Sequence, residues 1–271
     1  MTVRRRCSKK YLQCLFGAFL LFLGWASTCP DVAAAVDIYY FSPDSPQRNL
    51  GGLKREMETF FARVDFTANF QPFAHFVDFD QTVRKKLPSF LLLPAWYYRL
   101  YGEKLGLRPL LSPLADGATT YHKVLLVRKG SPITMATIRN QSLAMTTMGP
   151  ADESTLNTIL FAPHGVDSHN LDIITVPKDA DALFALALGH VDMALVGKRS
   201  IGQIGEVNPK ILQAVQPLAE SAPIPGPILC YAKGKVEGAV VEQLKGLLQR
   251  KPDGTNVLEI LQIDGWRVVG E

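Results

Sequence analysis

The chain has 271 residues, 29 of them Lys or Arg and 25 Asp or Glu, for a formal net charge of +4. Five of the bases (Arg4, Arg5, Arg6, Lys9, Lys10) and one acid (Asp31) fall within residues 1–35, so the remaining 236 residues carry 24 of each sign. A neutral surface of this kind gives no electrostatic case for nucleic acid or an anionic membrane as partner, and the length suffices for one large domain or two lobes.

The basic start is followed by a charge-free run over 11–25 and then by Ala33-Ala34-Ala35. That order of n-region, apolar core and small-residue site is that of a secretion signal. The apolar run is shorter than the roughly 20 residues a spanning helix needs. Residues 1–35 are therefore expected to be a cleavable signal peptide, with a mature periplasmic protein starting near Val36. Cys7, Cys14 and Cys29 leave with it, and Thr28 is a poor fit to the small residue expected before a lipidated Cys29. Cys230 stays behind alone, inside Pro227-Ile228-Leu229-Cys230-Tyr231, and reads as a small buried hydrophobe.

From Val36 onward short apolar runs alternate with helical patterns, the signature of βαβ units. A strand is expected over 36–41. A helix follows over 50–64, where Leu53, Met57, Phe60 and Phe61 recur at helical spacing. Residues 66–73 supply a second strand, Phe76, Phe79 and Val83 line a second helix, and Phe90-Leu91-Leu92-Leu93 is an apolar run of the kind a strand covered on both faces requires. A helix over 96–105 and a strand over 108–114 lead to a crossover at 115–118. The second set opens with a strand over 123–128. It continues with strand 142–146, helix 152–161, strand 171–176, helix 180–188 and strand 192–196. The Pro-rich stretch holding Pro223, Pro225 and Pro227 then returns the chain through strand 228–232 to the first set, and helices over 240–248 and 257–263 close the chain. Two crossings make a hinge. The expected fold is α/β, two lobes each built on a mostly parallel sheet flanked by helices, with residues 36–118 plus 226–271 in lobe 1 and 119–225 in lobe 2.

Several stretches, in this order and spacing, resemble one family. They are Tyr121 with the run Lys123-Val124-Leu125-Leu126-Val127-Arg128-Lys129-Gly130-Ser131-Pro132-Ile133, then Asp181-Ala182-Leu183 with Gly189-His190-Val191-Asp192, and the tail Asp264-Gly265-Trp266. The chain is similar there to the phosphate/phosphonate-type periplasmic binding proteins of ABC importers, which have the type II periplasmic binding fold. The resemblance implies a ligand held between the lobes and a membrane permease as partner.

Helix N-termini and the loops at strand C-terminal ends should face such a cleft. The candidate ligand-binding residues are Ser42 after the first strand, Trp96 and Tyr97 after the third, the hinge Tyr121, then Thr146, Glu153, Ser154 and Thr155 in the second lobe, and Lys178. The family resemblance implies a Ser/Thr-rich turn for an oxyanion at 146–155. Here that turn carries Asp152 and Glu153, two carboxylates that would oppose a phosphonate if they faced it, although acids in a first helical turn ordinarily serve the helix itself. Arg48 and Arg199 are the candidate guanidinium clamps, each also readable as surface charge.

His75, His122, His164, His169 and His190 show no metal-ligand spacing, and no Gly-rich phosphate loop or nucleophile elbow appears. No enzyme activity, cofactor or metal is expected. The reading is a monomeric, exported solute-binding protein working with an ABC permease. The alternatives are a carrier of an apolar ligand such as a lipid or sterol, and a ligand-presenting subunit for a membrane sensor kinase.

Overall fold

A computed structural model describes residues 35–44, 49–166, 171–250 and 257–270. The expected leader, with its cleavage site and Cys29, lies outside the described residues apart from Ala35, as do Arg48 and His169.

The first half begins with β1 (Val36–Tyr40), whose alternation sends Tyr39 and Tyr40 into apolar clusters on opposite faces of its sheet. Helix α1 (Leu50–Arg63) starts where the Asn49 side chain accepts the Gly52 N–H at 2.8 Å, a cap worth about 1 kcal/mol. It buries Leu53, Met57, Phe60 and Phe61 along one stripe. Then come β2 (Ala68–Pro72), α2 (Phe76–Lys85), β3 (Phe90–Leu93), α3 (Ala95–Tyr101) and β4 (Leu107–Leu114). All four β3 side chains are buried, Phe90 and Leu92 in one cluster and Leu91 and Leu93 in the other. Two-sided cover is why that strand is apolar throughout, and each of its side chains contributes roughly 1.5–3 kcal/mol.

A two-residue strand, β5 (Thr120–Tyr121), leads into the second half. There β6 (Lys123–Arg128), β7 (Ser142–Met145), α4 (Asp152–Leu156), β8 (Asp172–Thr175), α5 (Asp179–Ala187) and β9 (Met193–Gly197) follow. Next are α6 (Lys198–Val207), α7 (Pro209–Gln213) and β10 (Val215–Glu220). The chain returns through β11 (Ile224–Pro225) to β12 (Ile228–Ala232), α8 (Gly238–Gln249), α9 (Val257–Leu261) and β13 (Gly265–Val268).

Among the described residues the strands form a six-stranded sheet ordered β13-β4-β12-β3-β1-β2, a five-stranded sheet ordered β10-β6-β9-β7-β8, and the ribbon β11-β5. β1 runs parallel to β2 and β3, and β7 parallel to β8 and β9. β12 enters the first sheet antiparallel between β3 and β4, as β6 enters the second beside β9. Most strands in each sheet thus share one direction. Both connections between the halves pass through the ribbon, where Tyr121 pairs with Ile224 and Thr120 with Pro225.

Four features depart from the sequence expectation. Residues 198–207 form a helix, α6, packed on α7: a β-carbon on Gly205 would stand 2.3 Å from Leu212 Cδ1. The missing side chain at Gly205 permits that close approach. Residues 215–220 pair with β6 as β10, and the tail at 265–268 becomes an edge strand against β4. The helix expected over 152–161 holds α-geometry only to Leu156 and then widens into a π-type turn over Asn157–Phe161 before Pro163.

Candidate functional site

The C-terminal ends of β1 and β7, the start of β6 and the N-terminus of α5 meet where the two halves face each other. Lys123 opens a strand whose next four residues are apolar, and its side chain is wholly buried. Its ammonium donates to Asp44 Oδ1 at 2.5 Å, Thr146 Oγ1 at 2.6 Å and Asp179 Oδ1 at 3.2 Å. Those three bonds use every proton an ammonium carries. Asp44, from the first half, also accepts the Thr146 hydroxyl at 2.7 Å and, on its other oxygen, the Tyr121 hydroxyl at 2.7 Å. Asp179 takes the Gly197 N–H on its second oxygen at 2.9 Å.

Burial raises the Asp44 carboxyl, but the Lys123 charge and the hydrogen bonds from Lys123, Thr146 and Tyr121 outweigh it and hold the group below the usual carboxylate value. Burial works against the Lys123 ammonium, yet Asp179 and Asp44 together raise it. Asp179 is pushed up by burial first and by the Asp44 charge, against the pull of Lys123. Two carboxylates share one cation, and Asp179 bears the excess.

Beside this cluster lies a chamber of about 470 Å³. Tyr40, Leu92, Trp96, Pro113, Leu261 and Ile263 of the first half supply apolar wall. Residues 115–122 and 225–227 of the two crossovers close one side, and the N-terminus of α6 closes another. Three basic side chains reach it. Lys198 is held by Glu220 at 3.0 Å, and His122 Nδ1 lies 2.8 Å from the Ser221 carbonyl. Arg199, half-buried, has no ion-pair partner among the described residues. The halves also touch directly: Gly149 (φ +118) approaches so closely that a β-carbon there would stand 3.2 Å from Trp96 Cε3.

Of the candidates, Ser42, Trp96 and Tyr121 line the chamber. Tyr97 does not. It is fully buried in the first half, its hydroxyl donates to Asp80 at 2.9 Å, and its ring packs edge-on against Phe79. Adjacent helical residues are turned about 100° apart, so Trp96 on the cavity side sends Tyr97 into the core. Thr146 is buried under the chamber with Lys123. Glu153, Ser154 and Thr155 lie off the chamber, the first two exposed. Asp152 reaches back from the start of α4 to accept the Met148 N–H at 2.7 Å, closing the 146–152 turn on itself. That carboxylate, raised mainly by burial, belongs to the turn. Lys178 lines a separate cleft of about 390 Å³ that shares Arg199, Ser200 and Gln262 with the chamber. Cys230 is buried in β12, and desolvation pushes its thiol up to about 12.

Sequence reading made none of Lys123, Asp44 and Asp179 a candidate ligand-binding residue. The available signal was a lysine opening the run Val124-Leu125-Leu126-Val127, since a charge entering a two-sided apolar strand demands a buried partner.

The profile of the family described as ABC transporter, phosphonate, periplasmic substrate-binding protein matches residues 38–270. No curated protein matches the chain in sequence. Among solved structures, the chain is similar to a binding protein component of an ABC phosphonate transporter from Pseudomonas aeruginosa. The TM-score is 0.71 at 13% identity, with 86% of this chain and 81% of that one covered. It is also similar to PhnD1 from Prochlorococcus marinus in complex with methylphosphonate, at TM-score 0.69 and 10% identity over 87% and 92% of the two chains. A Xanthomonas citri protein bound to ATP gives 0.64 at 13% identity over 87% and 91%. At these identities the structures speak for the fold. The family match spans nearly every described residue, and the chain belongs to the periplasmic substrate-binding proteins of phosphonate ABC transporters.

Proposed function

We propose that this protein captures an organic anion of the phosphonate type, carrying an apolar substituent, in the chamber between its halves and presents it to a membrane permease. The observation that carries this reading is the chamber itself: apolar walls from Tyr40, Trp96 and Leu261, and Arg199, with no ion-pair partner among the described residues, at the N-terminus of α6. An apolar body gains by leaving water against those walls. A guanidinium beside a helix N-terminus suits an anionic head. Methylphosphonate in the Prochlorococcus marinus structure supports the class of head group.

In the same reading the protein is exported by cleavage after residue 35 and works as a monomer without catalysis. Residues 36–118 with 226–271 and residues 119–225 turn as two bodies about the β5–β11 ribbon. Closure over the solute is the signal the permease reads.

The test is a tryptophan fluorescence titration of the mature chain with a series of alkylphosphonates of increasing chain length. Trp96 lies in the chamber wall. Affinity should rise with each added methylene, by about 0.8 kcal/mol when fully buried, and Arg199→Ala should weaken every member. A response that ignores both chain length and Arg199 would sink the reading.

A further inference from the structure

The Lys123 cluster has the makings of an anion site, with an ammonium, the Thr146 hydroxyl and the Tyr121 hydroxyl converging on one carboxylate. Its occupant is part of the chain. Asp44 arrives from the opposite half, and Lys123, wholly buried, has no proton left to offer a second anion. The geometry points to Asp44 as a specificity-determining residue, a resident carboxylate that fills the Lys123–Thr146–Tyr121 site and bars small free oxyanions from it. The inference deepens the reading above by dividing the recognition surface: the solute is held by the chamber, and the deeper anion place is already taken.

Electrostatics works in the same direction. With both carboxylates ionised, Asp44 and Asp179 outnumber the single ammonium. An incoming phosphonate or carboxylate would bring further negative charge to a cluster that already has an excess, at contact distance and away from water. Removing Asp44 reverses the situation. Lys123 and Asp179 then form a one-to-one pair, one ammonium proton and two hydroxyls lose their acceptor, and the vacated space opens on the chamber that Asp44 lines. A small oxyanion can replace the lost carboxylate there and satisfy the same donors.

The experiment compares calorimetric titrations of the full mature chain, Asp44→Ala and Asp44→Asn with acetate and with methylphosphonate. Asp44→Ala is expected to bind both anions at least about tenfold more tightly than the unaltered chain. Thr146→Val placed in the Asp44→Ala background should take most of that gain away, because the orphaned hydroxyl is then missing. Asp44→Asn keeps the place filled but removes its charge, so its gain for methylphosphonate should be smaller than that of Asp44→Ala. It also reports on the charge if the alanine variant fails to fold. Equal affinities in the unaltered chain and both variants would overturn the inference, as would a gain indifferent to Thr146. Acetate carries only a methyl group and no chain whose length is varied, so this outcome is independent of the chain-length trend in the alkylphosphonate series, and either result can fail while the other stands.

Discussion

Lys123 and Asp44 stand 79 positions apart in sequence and on opposite sides of the β5–β11 ribbon, yet the ammonium and carboxylate meet at 2.5 Å. A cation at the root of one sheet is thus answered by an anion at the strand tips of the other. The contact ties the position of the halves to a charge pair shielded from solvent.

Lys123→Met should be among the most damaging substitutions in the protein. It leaves Asp44 and Asp179 facing each other without their shared cation, and breaking a buried pair from one side costs about 3–5 kcal/mol. Urea unfolding of the variant beside the unaltered chain gives the number. A loss well under 1 kcal/mol would mean the cluster holds nothing together.

The pH dependence follows from the direction of each shift. Asp44 sits below its unfolded value, so its contribution is present above the ordinary carboxylate pKa of about 3.9 and is lost as pH falls through the lower, folded value. Lys123 is raised, so its share is complete below about 10.4 and is lost as pH climbs through the folded value above that. Asp179 is raised and works the other way, withdrawing stability as pH rises from about 3.9 through its folded value. Subtracting the stability of Asp44→Asn from that of the unaltered chain isolates the first effect. The gap should narrow steadily in acid below about pH 4, and a gap constant across that range contradicts the assignment.

Gly149→Ala should favour a more open arrangement. Its φ of +118 strains any side chain, and the added carbon presses on Trp96 across the divide. Small-angle scattering should record a larger radius of gyration for the variant, with Trp96 emission moved to longer wavelength. An unchanged radius would show that the two halves are not held together at this point.

Tyr97→Phe separates stability from binding. The substitution removes the hydroxyl bonded to Asp80 and keeps the ring among Phe79 and Tyr101. A stability loss of about 1 kcal/mol is expected, together with unaltered affinity for the alkylphosphonate series. Weakened solute binding at full stability would return Tyr97 to the cleft.

The fold was legible because burial and periodicity coincide. Leu53, Met57, Phe60 and Phe61 mark one face of α1, and β3 and β6 run apolar because both faces of their sheets are buried. α6 was hidden because Gly202 and Gly205 lower helix propensity, and only the Leu212 contact explains why a glycine is wanted. The chamber was half legible. Trp96 and Tyr121 follow from loop position, whereas the choice between Trp96 and Tyr97 depends on a helix phase that Pro94 alone does not set. The Asp44–Lys123–Asp179 cluster was legible at Lys123 alone: its members are far apart in sequence, and an acid in a loop carries no local mark of the lysine it will meet.

The position of β12 bears on how the molecule comes together. The five-stranded sheet takes all its strands from the continuous segment 123–220. The other sheet has a gap between β3 and β4 until Ile228–Ala232 arrive from beyond the second half. The first sheet therefore cannot close before Ile228–Ala232 have been made, and a chain cut short near residue 225 would lack the strand that joins β3 to β4.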